Sequence, residues 1–144
     1  MLALGAHTIM SIAGFMFLLP VTDAIFAGII GTALLCTLTY VVLYIQRRQT
    51  RVIQTLTALA GAITLLDAVG LPFASWLKST HDAGLNAGAP TFIFIILTGW
   101  QLTVQGHILR HAMSTPLILG LMVSMFFFTI SVTVLQSLFP PVPV

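Results

Sequence analysis

A single all-α domain, a polytopic transmembrane helical bundle of four or five spans over residues 1–144, is the fold class this sequence predicts, and three observations predict it. Hydrophobic residues make up 58% of the 144 and charged residues only 6%, against roughly a quarter charged in soluble domains, so there is too little polar surface to solvate a globule. Apolar runs of about 20 residues, enough to cross the hydrocarbon core of a bilayer, recur along the chain. The charges gather in the breaks between them, where five Lys and Arg against three Asp give a net +2. Spans and short connections use all of the length, which leaves no soluble catalytic domain. Nothing suggests nucleic acid as a partner.

Residues 1–20, "MLALGAHTIMSIAGFMFLLP", are long enough at 1.5 Å per residue to cross about 28 Å, although they carry His7, Thr8 and Ser11. A fifth span is expected here, with an interfacial or re-entrant helix as the alternative. The segment lacks the basic beginning and small-residue cleavage pattern of a signal peptide, so it is expected in the mature protein. Residues 24–45 run without a charge and are the firmest span. Cys36 lies inside it as a small packing residue, and a lone cysteine forms no intrachain disulfide. Ala24, Gly28 and Thr32, with Ala27 and Gly31 beside them, make small-xxx-small patterns that let helices approach closely.

The run "QRRQTR" ends that span. Residues 52–77 follow, apolar except for Asp67, with Thr57–Gly61 and Ala58–Ala62 repeating the small-residue spacing. Gly70 and Pro72 near the end of this segment predict that the helix stops or kinks there. Residues 78–90, "KSTHDAGLNAGAP", read as the one long loop. A span over 91–109, a turn over 110–116 with Pro116 suited to the first turn of a helix, and a last span over 117–138 complete the set. Pro140, Pro141 and Pro143 then predict an extended tail. No repeat of fixed period and no inverted copy of one pair of spans in another is visible, which counts against a secondary transporter.

Alternating spans put Arg47, Arg48, Arg51 and Arg110 on one side and Lys78 on the other, so the arginine turns are expected in the cytoplasm and the tail outside. These arginines are the residues expected to meet lipid headgroups, at about 1 kcal/mol per basic residue near an anionic surface. Asp67 is the costliest residue in the chain, since a carboxylate at a span centre costs about 2.5 to 3.5 kcal/mol. It is expected to reach water at the end of a short helix or to find Thr129, Ser131 or Thr133 on the last span. Its functional reading is a proton acceptor or cation site.

The stretch "GWQLTVQGHILRH" holds the other polar residues. At 100° per residue Trp100, Val104, His107 and His111 form one stripe and Gln101 and Gln105 a neighbouring one. Trp100, about 15 Å from Arg110 by helix rise, is expected between helices, and the two glutamines are expected to bond across to a neighbour. Asp67, Trp100, Gln101, Gln105 and His107 are thus the candidate polar pocket or helix seam. No cofactor is expected. The minor alternative is a metal or haem held by His7, His107 and His111, since i, i+4 imidazoles face one point but two of them make only half a zinc site. There is no phosphate loop, no paired intramembrane carboxylate, no HExxH and no CxxC, so an enzyme is the weakest class.

The stretches "RVIQTLTALAGAITLLDAVGLP" and "WQLTVQGHILRHAMSTPLILG" resemble a group of small uncharacterised bacterial inner-membrane proteins that join an RxxQTxTAxxG stretch to a W…GHILRHA stretch. The layout of several spans with an outer tail is also loosely similar to the Yip1 family, without that family's acidic-aromatic motifs. What this resemblance implies is a scaffold or membrane-organising role, with membrane lipids, other membrane proteins or a second copy as partners. The expected function is therefore non-enzymatic and works through protein or lipid partners. The alternative is a small proton-linked or solute-conducting protein using Asp67, Gln101, Gln105 and His107.

Overall fold

A computed structural model describes residues 2–17 and 19–140. They form five helices: α1 (Leu2–Phe15), α2 (Val21–Ile45), α3 (Val52–Asp82), α4 (Gly88–Met113) and α5 (Leu117–Leu138), with a 3₁₀ turn at Gln49–Arg51 leading into α3. There is no strand among the described residues. Four helices, α2 to α5, are long and apolar enough to cross a membrane. α1 has 14 residues and is about 21 Å long, short of the ~30 Å hydrocarbon core. A full fifth span over residues 1–20 is therefore not what α1 supplies. Pro20 disfavours helical backbone at Leu19 and itself caps the start of α2 at φ −55°, which keeps α1 and α2 from joining into one helix.

The boundaries of α3 and of the segment after it differ most from the expectation, and α4 also runs on to Met113, four residues past the expected end of its span, which shortens the turn expected over 110–116. α3 does not stop at Gly70 or Pro72 but runs on to Asp82 with Pro72 inside it, and what reads as a loop over 78–90 shrinks to residues 83–87. A proline inside a helix costs about 3 kcal/mol in water, yet in a bilayer an interrupted helix exposes backbone groups with no water to satisfy them. Continuing the helix past one missing N–H is the cheaper outcome. The helix closes at Gly84, whose φ of +64° lets the Leu85 N–H reach the Thr80 carbonyl at 3.0 Å, a Schellman closure. Of the expected tail, Phe139 and Pro140 follow the end of α5 and are not helical, and residues 141–144 lie outside the described residues.

Helices adjacent in sequence pack as antiparallel hairpins, with one exception that shapes the molecule: α1 packs on both α2 and α3 more extensively than those two pack on each other. Close approach is bought by small residues. A Cβ at Gly28 would collide with the Ile12 side chain and lie 3.0 Å from its backbone N, and a Cβ at Gly120 would meet the Gly106 carbonyl and, at 2.9 Å, the Cβ of Arg110. Ser124 on α5, fully buried, donates to the Leu102 carbonyl across the same crossing at 3.0 Å. Thr57, Ala58 and Gly61 do not serve such a seam inside the chain, since the first two are exposed and a Cβ at Gly61 would meet nothing.

The two ends of the bundle differ. At the arginine end Leu43, Leu59, Ala60, Leu109, Ala112 and Met113 fill a dense core. There the turn between α2 and α3 is tied to the turn between α4 and α5: Arg48 donates to Ser114 Oγ at 2.7 Å and Arg51 to the His111 carbonyl at 3.1 Å. A guanidinium at a helix C-terminus is favoured both by the free carbonyls and by the helix dipole. At the other end Lys78 Nζ donates to the Phe17 carbonyl at 2.6 Å, fastening α3 to the end of α1. The four arginines and Lys78 thus divide between the two ends as the sequence predicts.

Candidate functional site

Because α1 wedges α2 away from α3, the half of the bundle nearer Lys78 is not filled. A cavity of about 900 Å³ opens between α1, α3, α4 and α5, with α2 touching its inner end. Its walls are leucines and phenylalanines, among them Phe15, Phe94, Phe127 and Phe128. Lys78, His81 and Ala87 stand at the outer end, while His7, Leu35, Ile63 and Gln105 mark the inner end. The size is at the upper end of the ~300–1,000 Å³ typical of ligand pockets, which are also mostly apolar with a few placed polar groups.

The polar groups are set one turn apart. Asp67 comes from the mid-part of α3 and Gln101 from the facing turn of α4, and Gln101 Nε2 donates to Asp67 Oδ1 at 3.2 Å. Gln105, one turn further along α4, lines the same cavity with Ser11 of α1 and Ser131 of α5. Asp67 is therefore held by the neighbouring α4 and not by Thr129, whose hydroxyl donates to its own Met125 carbonyl, nor by Thr133, which is exposed. It does not sit at a helix end either, because α3 continues for 15 residues beyond it, to Asp82. His7, the one buried residue of α1, is 6% exposed, lines the cavity and has no partner for Nδ1.

Of the five residues expected to share a pocket or seam, three do: Asp67, Gln101 and Gln105. Trp100 is 57% exposed and faces outward, contrary to the expectation that it packs between helices. His107 also lies on the exposed side, its ring edge-on to His111 with centroids 4.7 Å apart. The two stripes on α4 are real, and the physical choice between them is the polar one. Burying two primary amides toward Asp67 spares them hydrocarbon, whereas an indole tolerates lipid with most of its surface apolar. His7 points into the cavity and His107 away from it, so the three-imidazole arrangement is not formed. Among the described residues no group of three His, Cys, Asp or Glu could hold a metal ion.

Sequence reasoning passed over Gly106, Gly120 and Ser124. The signal was present, since Gly120-x-x-x-Ser124 is the same small-residue spacing that marks Ala24-x-x-x-Gly28. The glycines of the cavity carry a different message. A Cβ at Gly14, Gly31 or Gly70 would meet nothing within 4 Å, and all three line the cavity, so they leave space that nothing in the chain occupies. Comparison with protein-family models, with curated proteins and with solved structures gives no match.

Proposed function

We propose that this chain is a non-enzymatic integral membrane protein that acts by holding a lipid partner, a membrane-soluble amphipathic molecule, in the cavity beside Asp67. The observation that supports this best is the form of the cavity. It is apolar along its length, carries a few polar groups at mid-depth, and stops against the packed core at the arginine end. Apolar walls with a few placed polar groups are the usual form of a ligand site, and inside a bilayer alkyl material with a polar end matches that form. This is the lipid arm of the membrane-organising role that the Yip1-like layout implies. By the distribution of positive charge the arginine end is cytoplasmic and the Lys78 end faces out.

The experiment is native mass spectrometry of the purified chain released from mild detergent. Wild type is expected to carry lipid-sized adducts, and a Gly31→Leu/Gly70→Leu variant, which places two side chains in open space, is expected to lose them while keeping its helical circular dichroism. Adducts of equal abundance in both would sink the proposal. Asp67, Gln101 and Gln105 sharing one cavity also favour a second reading, a proton-linked or solute-conducting protein, now without His107. Flux in proteoliposomes that disappears in Asp67→Asn would support that reading over retention.

A further inference from the structure

We propose that the polar end of the cavity's occupant is a cation, so that the ligand is a lipophilic organic cation with its charge against Asp67 and its apolar body against the phenylalanines. This rests on the cavity being a ligand site and names the chemistry of what it takes. A carboxylate accepts at about four lone-pair positions, and the structure gives Asp67 a single donor, the amide of Gln101. Among the described residues no basic side chain comes within 4.0 Å of Asp67; the one carboxylate so placed is Asp82, 4.0 Å from His81 in the exposed turn. Lys78 on the same helix is 11 residues away, about 16 Å by helix rise, and its ammonium is engaged by the Phe17 carbonyl. The arginines lie beyond the packed core. An ionised carboxylate left without a counter-charge in apolar surroundings is costly, and a bound cation, which holds the carboxyl group in its ionised form, offsets that cost.

The walls suit the same ligand. Phe94 and Phe128 on α4 and α5 and Phe15 on α1 face one space with Asp67, and the faces of aromatic rings attract cations, more strongly when water is excluded. An anion finds a carboxylate at mid-depth, with Lys78 and His81 at the outer end and the buried imidazole of His7 at the inner end, none of them within 4.0 Å of Asp67.

The test uses two ions of nearly equal shape and opposite charge, tetraphenylphosphonium and tetraphenylborate, in equilibrium dialysis against the full chain in nanodiscs of zwitterionic lipid, with uptake by protein-free nanodiscs subtracted. Wild type is expected to bind the phosphonium more tightly by about tenfold or more. Asp67→Asn is expected to erase that preference and Asp67→Glu to retain it, each checked for helical circular dichroism. Equal binding of the two ions, or a preference that survives in Asp67→Asn, would overturn the proposal. If neither ion binds while lipid adducts persist in wild type and vanish in Gly31→Leu/Gly70→Leu, the cation proposal falls and the lipid-site reading stands. If the adducts are also insensitive to those two side chains, both fall.

Discussion

Asp67 and Gln101 illustrate how a membrane interior makes one hydrogen bond matter. The amide is the only donor the structure gives the carboxyl group, and removing a partner from a buried polar group costs about 1 to 3 kcal/mol. Gln101→Leu is therefore expected to lower stability by about that amount, measured as the shift of a detergent unfolding titration. In an Asp67→Leu background the same change is expected to cost little, and a double-mutant cycle reads the coupling. Equal losses in the two backgrounds would show that the pair is not coupled. A second residue-scale consequence concerns Arg47, which sits at φ 54°, the left-handed region that side chains enter at about 1 to 2 kcal/mol. Arg47→Gly is expected to raise the unfolding midpoint. At this scale the sequence was only partly legible. The two stripes of α4 followed from angle alone, but which one turned inward depended on Asp67 standing opposite, and helical periodicity carries no information about a neighbour.

The spans themselves were readable because hydrocarbon imposes their length: the segment over 117–138 coincides with α5 (Leu117–Leu138), and α2 gains only Val21, Thr22 and Asp23, the last an acidic residue suited to a helix N-terminus. The misread element was α3, where Gly70 and Pro72 carry their aqueous meaning only if water is present to take over the backbone. Helix pairing was less legible than helix position. The α4–α5 crossing depends on Gly106 and Gly120, and Gly120→Leu is expected to separate the two helices with a loss of more than about 2 kcal/mol, the cost of overpacking a tight site. Gly61→Ala, where a Cβ meets nothing, is expected to be neutral or to stabilise by up to about 1 kcal/mol through helix propensity. Thermal unfolding followed by circular dichroism separates the two, and a tolerated Gly120→Leu would refute the crossing.

At the scale of the molecule, the bundle is fastened at both ends by cations on carbonyls or hydroxyls, through Arg48 and Arg51 at one end and Lys78 at the other. The reading of the arginine end as cytoplasmic predicts a labelling pattern. In a Cys36→Ser background, Gln49→Cys is expected to react with an impermeant maleimide only in inverted vesicles, and Asn86→Cys only in intact cells; the opposite pattern would invert the topology. That the chain is a helical bundle was plain from composition, whereas the wedge made by α1 was not, because its 14 residues carry no mark that distinguishes a short packed helix from a crossing one. That wedge has a consequence for exchange with the surrounding membrane. The space it creates runs from the Lys78 end past mid-depth to His7, Leu35, Ile63 and Gln105 and stops there against the dense core. It is a blind pocket and not a passage from one end of the bundle to the other, and whatever exchanges with it does so short of the arginine end.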